Sequence, residues 1–173
     1  MIRASLKREP DDNKTWANLL PVLEEAGVLP EFCFFTNFYM GLIPGNKSTG
    51  KFPGRHDLQF TEHCLNILVK QLDVQRPRLV LVLGGEFYHL LARISDDLSR
   101  WKKGMKFTEI DAVGPVISGA AINGIPGFTT NFALLMHPCK RKLNVGGRNY
   151  KGRRGDAAEK QMIRDGLVRS TTT

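Results

Sequence analysis

The residues best suited to chemistry lie towards the carboxyl end, in Asn131-Phe-Ala-Leu-Leu-Met-His137-Pro138-Cys139-Lys140-Arg141-Lys142. An imidazole set directly after a short apolar run can donate a hydrogen bond or move a proton. Seven cations follow it, Lys140, Arg141, Lys142, Arg148, Lys151, Arg153 and Arg154, with no acid before Asp156, and that spacing suits contacts to phosphates. A second polar group, Asn37, stands near the end of the aromatic run Phe32-Cys-Phe-Phe-Thr-Asn. From spacing alone two readings stay open. One is a nucleic-acid site, with a base or sugar near His137; the other is a capped strand followed by a solvated loop.

Other chemistries fit less well. Gly45-Asn-Lys-Ser-Thr-Gly50-Lys51 approaches a phosphate-binding loop, but Phe52 stands where a hydroxyl must reach magnesium. Pro53-Gly54 also opposes the helix whose N-terminus would hold the phosphates, so triphosphate hydrolysis is rejected. Cys33, Cys64 and Cys139 form no C-x-x-C pair, which argues against a zinc knuckle or a disulfide framework. Cys33 and Cys64 are expected as buried thiols. The four histidines show no metal-ligand spacing, and no cofactor is implied.

The elements that must position His137 and Asn37 can be read from periodicity. Trp16, Leu19, Leu20 and Leu23 recur at helical spacing up to Gly27, with Pro21 tolerable only in a first turn. Residues 32–40 read as a central strand ending near Asn37. Phe60, Cys64, Ile67, Leu68 and Leu72 mark a helix that Arg76-Pro77 stops, and Arg78 to Leu83 is a second buried strand closed by Gly84-Gly85. Glu86 to Ile94 is expected as a helix. Val113 to Ile117 and Gly119 to Ile125 could pair as a hairpin. Asn131 to His137 is the last strand, and Asp156-Ala-Ala-Glu159 reads as a capping box opening a helix to Leu167.

This order implies an α/β fold with a mostly parallel central sheet, whose ligands bind beyond the carboxyl ends of the strands. Asn37 and His137 lie at such ends, so both would face one crevice with the Lys140–Arg154 loop at its rim. Residues 1–14 form a polar tail, residues 15–169 a single domain, and Ser170 to Thr173 a disordered end. The net charge of +8 points to a polyanionic partner. No apolar run approaches the roughly 20 residues that span a bilayer, and the first residues lack a signal-peptide core. A cytoplasmic monomer with no membrane contact is expected.

Three blocks together resemble the uracil-DNA glycosylase superfamily: Phe35-Thr36-Asn37; Glu62-x-Cys64 through Gln71 with Arg76-Pro77-Arg-Leu-Val-Leu-Val-Leu83-Gly84; and Leu135-Met136-His137-Pro138. They run in family order over roughly residues 15–165. The resemblance implies a three-layer α/β/α domain that flips uracil or another damaged base out of DNA and hydrolyses its N-glycosidic bond. It implies that Asn37 reads the base edge and that His137 donates to the base oxygen as charge gathers on the leaving group. It implies phosphate contacts from Lys140, Arg141, Lys142, Arg148 and Arg153, with Leu143 as a wedge in the duplex. A function in repair would place the protein with the nucleoid or in the nucleus.

The chain departs from the family at its first motif, the strand that carries the water-positioning residue. Asp11 and Asp12 lie in no matching context. A register through Gly41-Leu-Ile43-Pro44-Gly45 puts Ile43 in that place, where it cannot activate water. The iron–sulfur cluster of some relatives is not expected, since only Cys64 falls near a matching position. Two alternatives therefore stand beside a working glycosylase: a non-catalytic DNA-binding remnant, and a glycosylase truncated at its N-terminus.

Overall fold

The computed structural model of the protein describes residues 14–41 and 52–168. The near phosphate loop at 45–51, the register through Ile43, Asp11 with Asp12, and the end from Ser170 lie outside the described residues. The described chain combines helices with a small mixed sheet of three strands, an α/β arrangement.

Helix α1 (Lys14–Glu25) buries Leu19, Val22 and Leu23 along one face. It ends at Gly27, whose φ of +84° is the left-handed conformation that suits a residue without a Cβ. Pro21 lies inside the helix rather than in its first turn. The missing N–H there is tolerated because the neighbouring side chains are anchored in the core.

Residues 32–40 do not form the expected strand. A 3-10 turn (Pro30–Phe32) leads into a segment without ladder hydrogen bonds. Its aromatics are held by rings instead: Phe35 meets Trp16 edge-on at 4.8 Å, and Phe38 stacks on Phe87 at 4.5 Å. Phe32 is 85% exposed and Phe34 53% exposed, so the run that suggested a buried strand has only part of its apolar surface covered.

Helix α2 (Leu58–Gln75) starts on Asp57, whose carboxylate accepts the Phe60 N–H at 3.0 Å. It stops at Arg76, which adopts φ +43° directly before Pro77. Cys64 on its inner face is buried as expected, whereas Cys33 is only half-buried. Strand β1 (Leu79–Leu83) follows. The helix expected at Glu86 to Ile94 is a 3-10 helix (Tyr88–Arg93) with Tyr88 and Leu91 buried. A short helix not foreseen from the glycine-rich region, α3 (Phe107–Val113), precedes strand β2 (Val116–Ala121).

The hairpin also differs from expectation. β2 pairs antiparallel with strand β3 (Thr129–Leu135), and residues 122–128 join them. A bulge between Ile117 and Ala120 contains Gly119, at φ +68°. The Gly119 N–H, turned out of the ladder, donates to Asn131 Oδ1 at 2.7 Å. The strand order β1-β3-β2 has one parallel and one antiparallel pair, so the sheet is mixed rather than mostly parallel. The segment at 32–40, which would have added a strand, stays out of it.

β3 is buried from Thr130 to Leu135 because apolar layers cover both of its faces. Phe132 and Leu134 join Val82, Leu65, Leu72, Ile117 and Trp101 on one side. Ala133 and Leu135 meet Leu19 and Leu23 of α1 on the other, with Ala158, Met162 and Ile163 of the last helix, α5 (Gly155–Leu167). Among the described residues no helix is long and apolar enough to cross a membrane.

Asn131 ties the bulge to the end of α5, since its Nδ2 donates to the carbonyls of Gly166 at 2.7 Å and Val168 at 3.1 Å. Asn131→Ala leaves buried backbone groups unpaired and is expected to lower stability by about 2–3 kcal/mol, measured by urea unfolding.

Candidate active site

The parallel pair brings two strand ends level, with Leu83 opposite Leu135. The ladder continues one residue further, as Gly84 N–H donates to the Leu135 carbonyl at 2.8 Å. Two residues past that end stands His137. Gly84 has φ +95°, and a Cβ there would lie 3.0 Å from His137 Cβ and 3.3 Å from its Cδ2. Glycine thus serves both the turn and the close approach of the imidazole.

His137 opens the 3-10 turn Pro138–Lys140. Its Nδ1 accepts the Cys139 N–H at 3.3 Å and lies 2.9 Å from Cys139 Sγ. An Nδ1 occupied as acceptor assigns the neutral ring its proton on Nε2, which is left as a donor. Burial pushes the His137 pKa below its ordinary value, Lys140 pushes it further down, and Glu86 partly opposes them. The favoured state is therefore an uncharged imidazole with one donor. The Pro138 carbonyl accepts from Asn18 Nδ2 at 3.0 Å, which fixes α1 against this turn.

The expected cationic loop is largely structured. It contains helix α4 (Arg141–Asn144), a 3-10 turn (Val145–Gly147), and a two-strand ladder of β4 (Asn149–Tyr150) with β5 (Arg153–Arg154). Two of its arginines are not at the surface, which corrects their expected phosphate contacts. Arg148 is fully buried: Nη1 reaches Glu159 Oε1 at 2.8 Å, Nη2 reaches Asp111 Oδ1 at 2.7 Å and the Leu134 carbonyl at 2.9 Å. Its guanidinium also lies 4.7 Å from the centre of the Phe107 ring. Arg141, likewise buried, pairs with Glu159 and with Asp156 at 2.6 Å. Both are committed to carboxylates inside the fold.

Glu159 replaces the expected capping box with a different role. Its side chain is turned fully inwards, and Oε1 accepts the Met136 N–H at 2.6 Å. One carboxylate thus holds the residue before His137 and both buried arginines. A signal was present, because Glu159 falls among Ala158, Met162 and Ile163, the apolar stripe of α5.

Lys140, Lys142 and Arg153 are exposed, and none forms an ion pair among the described residues; Lys151 pairs with Asp165 at 2.6 Å. Leu143 is 86% exposed on α4. Asn37 is exposed on its ladderless segment, and its neighbour Phe38 anchors that segment to Phe87 beyond β1. The segment thus approaches the strand ends through Phe38, without the fixed strand-end position expected for Asn37.

Residues missed from the sequence complete this end of the sheet. Glu86 follows Gly84-Gly85, and its carboxylate lies 3.4 Å from Arg55 Nη1 in the 3-10 turn Pro53–His56. Tyr39 stacks with Phe52 at 5.2 Å, and Glu86 and Arg55 both act on its hydroxyl. An apolar hollow of about 430 Å³, lined by Ala121, Ile122, Ile125 and Phe128, lies at the opposite end of β3, away from this chemistry. Among the described residues no group of three His, Cys, Asp or Glu is placed to hold a metal ion. Comparison with family models, with curated proteins and with solved structures returns no match.

Removing Glu159 would leave two buried guanidinium groups without their shared partner. Glu159→Ala is expected to cost about 3–5 kcal/mol by urea unfolding and to shift the NMR signals of Met136 and His137. The lowered His137 pKa has a defined sign: the unfolded chain binds the proton more readily, so stability falls as pH drops below the ordinary histidine value. Urea unfolding over about pH 5–7 should show that slope, shallower in His137→Gln. The remainder includes His89, which is also pushed down by burial.

Proposed function

We propose that this chain is a uracil-DNA glycosylase-like domain of three α/β/α layers, which binds DNA and hydrolyses the N-glycosidic bond of uracil or another damaged base. The observation that carries the reading is the placement of His137 at the carboxyl end of β3, where its Nδ1 accepts the Cys139 N–H and burial lowers its pKa, which together favour a neutral ring with its proton on Nε2. Breaking the bond to deoxyribose leaves negative charge on the base. A fixed donor at the base oxygen stabilises that charge as it develops, and such a contact is worth about 3–4 kcal/mol. A neutral donor suits this better than an imidazolium that must first lose solvent.

The other roles follow position. Asn37, exposed near the stacked Phe38 and Phe87, offers an amide that matches the alternating donor and acceptor edge of uracil. Lys140, Lys142 and Arg153 contact phosphates, and Leu143 enters the duplex as the base leaves the stack. Arg141 and Arg148 take no part in DNA contact; they hold the turn that presents His137. Work on DNA would place the protein with the nucleoid or in the nucleus.

A second reading, a DNA-binding domain without catalysis, is favoured by the placement of Asn37 on an exposed segment outside the sheet. One experiment separates the two. Release of free uracil from a labelled uracil-containing oligonucleotide is measured at low salt with wild type and His137→Ala. The glycosylase reading expects release that falls by about 10²–10³-fold in the variant. No release from wild type, with DNA binding that weakens as salt rises, would support the binding domain instead. In either case Lys142→Ala should reduce the salt dependence of binding by about one phosphate contact.

A further inference from the structure

The proposed hydrolysis needs a group to orient water and take its proton, and the sequence motifs supply none. We propose that Glu86 is that group. The inference rests on the glycosylase reading above and names a residue that neither the motifs nor the resemblance points to.

The geometry follows from the register. Leu83 and Leu135 end level, so the chain leaving β1 runs beside the chain leaving β3. Gly84, at φ +95°, turns the chain where a Cβ would press on His137, and Glu86, two residues on, is the first side chain beyond it that can accept a proton. The donor and the carboxylate thus arrive on adjacent strand ends rather than on one loop. Against the larger lowering by burial and Lys140, the Glu86 charge also raises the His137 pKa.

The other acids around the His137 turn are committed elsewhere. Glu159 and Asp111 are buried against Arg148, and Asp156 pairs with Arg141. The Glu86 side chain is 39% exposed, with a contact of 3.4 Å to Arg55. That exposure leaves part of the carboxylate open to solvent, from which a water can be taken.

In the proposed step a water oxygen bonds to C1′ of the nucleotide while the C1′–N bond breaks and its electron pair passes to the base. The water proton moves to the Glu86 carboxylate and then to solvent. His137 Nε2–H donates to the base oxygen as the charge appears there. The base leaves as an anion and takes up a proton from solvent, equal to the one Glu86 releases, so the products are the free base and an abasic sugar bearing a 1′-hydroxyl, with no oxidant, reductant or further reactant.

The test measures single-turnover uracil release by the full chain at saturating enzyme, with affinity for the same oligonucleotide measured in parallel. Glu86→Gln keeps the shape but removes the base, so the rate should fall by about 10²-fold or more while affinity changes less than about twofold. Glu86→Asp, which keeps a carboxylate, should recover part of the rate. Glu86→Gln at the wild-type rate would overturn the role of Glu86 and leave the glycosylase reading intact. So would Glu86→Asp as slow as Glu86→Gln, or a rate loss matched by an equal loss of affinity. No release by wild type would overturn the glycosylase reading and this inference with it.

Discussion

The structure depends on one buried carboxylate. Glu159 accepts from Met136 N–H, from Arg148 and from Arg141, and Arg148 passes the connection on to Asp111 and the Leu134 carbonyl. Charges removed from water are tolerated only when each is paired and hydrogen-bonded, and here every member has at least two partners. The Asn149 N–H completes the coordination of Asp111 at 2.7 Å. The network specifies geometry more than it adds stability, because hydrophobic replacements of buried ion pairs are often as stable. It joins α3, the end of β3, α4 and α5 at the point where the chain turns into His137.

That constraint determines how the imidazole is presented. With Met136 held by Glu159 and the Pro138 carbonyl held by Asn18, the backbone on each side of His137 is fixed. Gly84 leaves room for the ring, and the Cys139 N–H sets which ring nitrogen accepts. The same network divides the cations after His137 into two kinds. Arg141 and Arg148 build the turn, while Lys140, Lys142 and Arg153 remain at the surface facing solvent. A run of positive residues therefore served two purposes, structure inside and charge outside.

Much of the frame was legible from periodicity. Helices α1, α2 and α5 and strands β1 and β3 carry continuous apolar patterns, and their positions agree with those patterns to within a few residues. What escaped was decided by tertiary contacts. Phe32 to Met40 has strand composition, but Trp16 and Phe87 hold its rings and no neighbour pairs its backbone. Asp156 and Glu159 have the spacing of a capping box, yet the helix already begins at Gly155, which puts Asp156 inside its first turn, and both carboxylates pair with arginines. The β2 bulge depends on a side-chain acceptor from Asn131, distant in sequence and invisible to local pattern. His137 was legible because a proline-terminated strand marks its own end. Glu86 was not, because the strand ends that lead to it and to His137 come level only once β1 and β3 pair.

The central claim is that His137 stands at the strand end as a neutral donor for a departing base. Nitrogen-15 NMR of the histidine rings tests it most directly, first on the free protein and then with an abasic-site oligonucleotide and uracil. The account predicts that near neutral pH His137 carries its proton on Nε2, and that this proton moves downfield when the product pair binds. A proton on Nδ1, or an Nε2–H signal unchanged by saturating product, would contradict it.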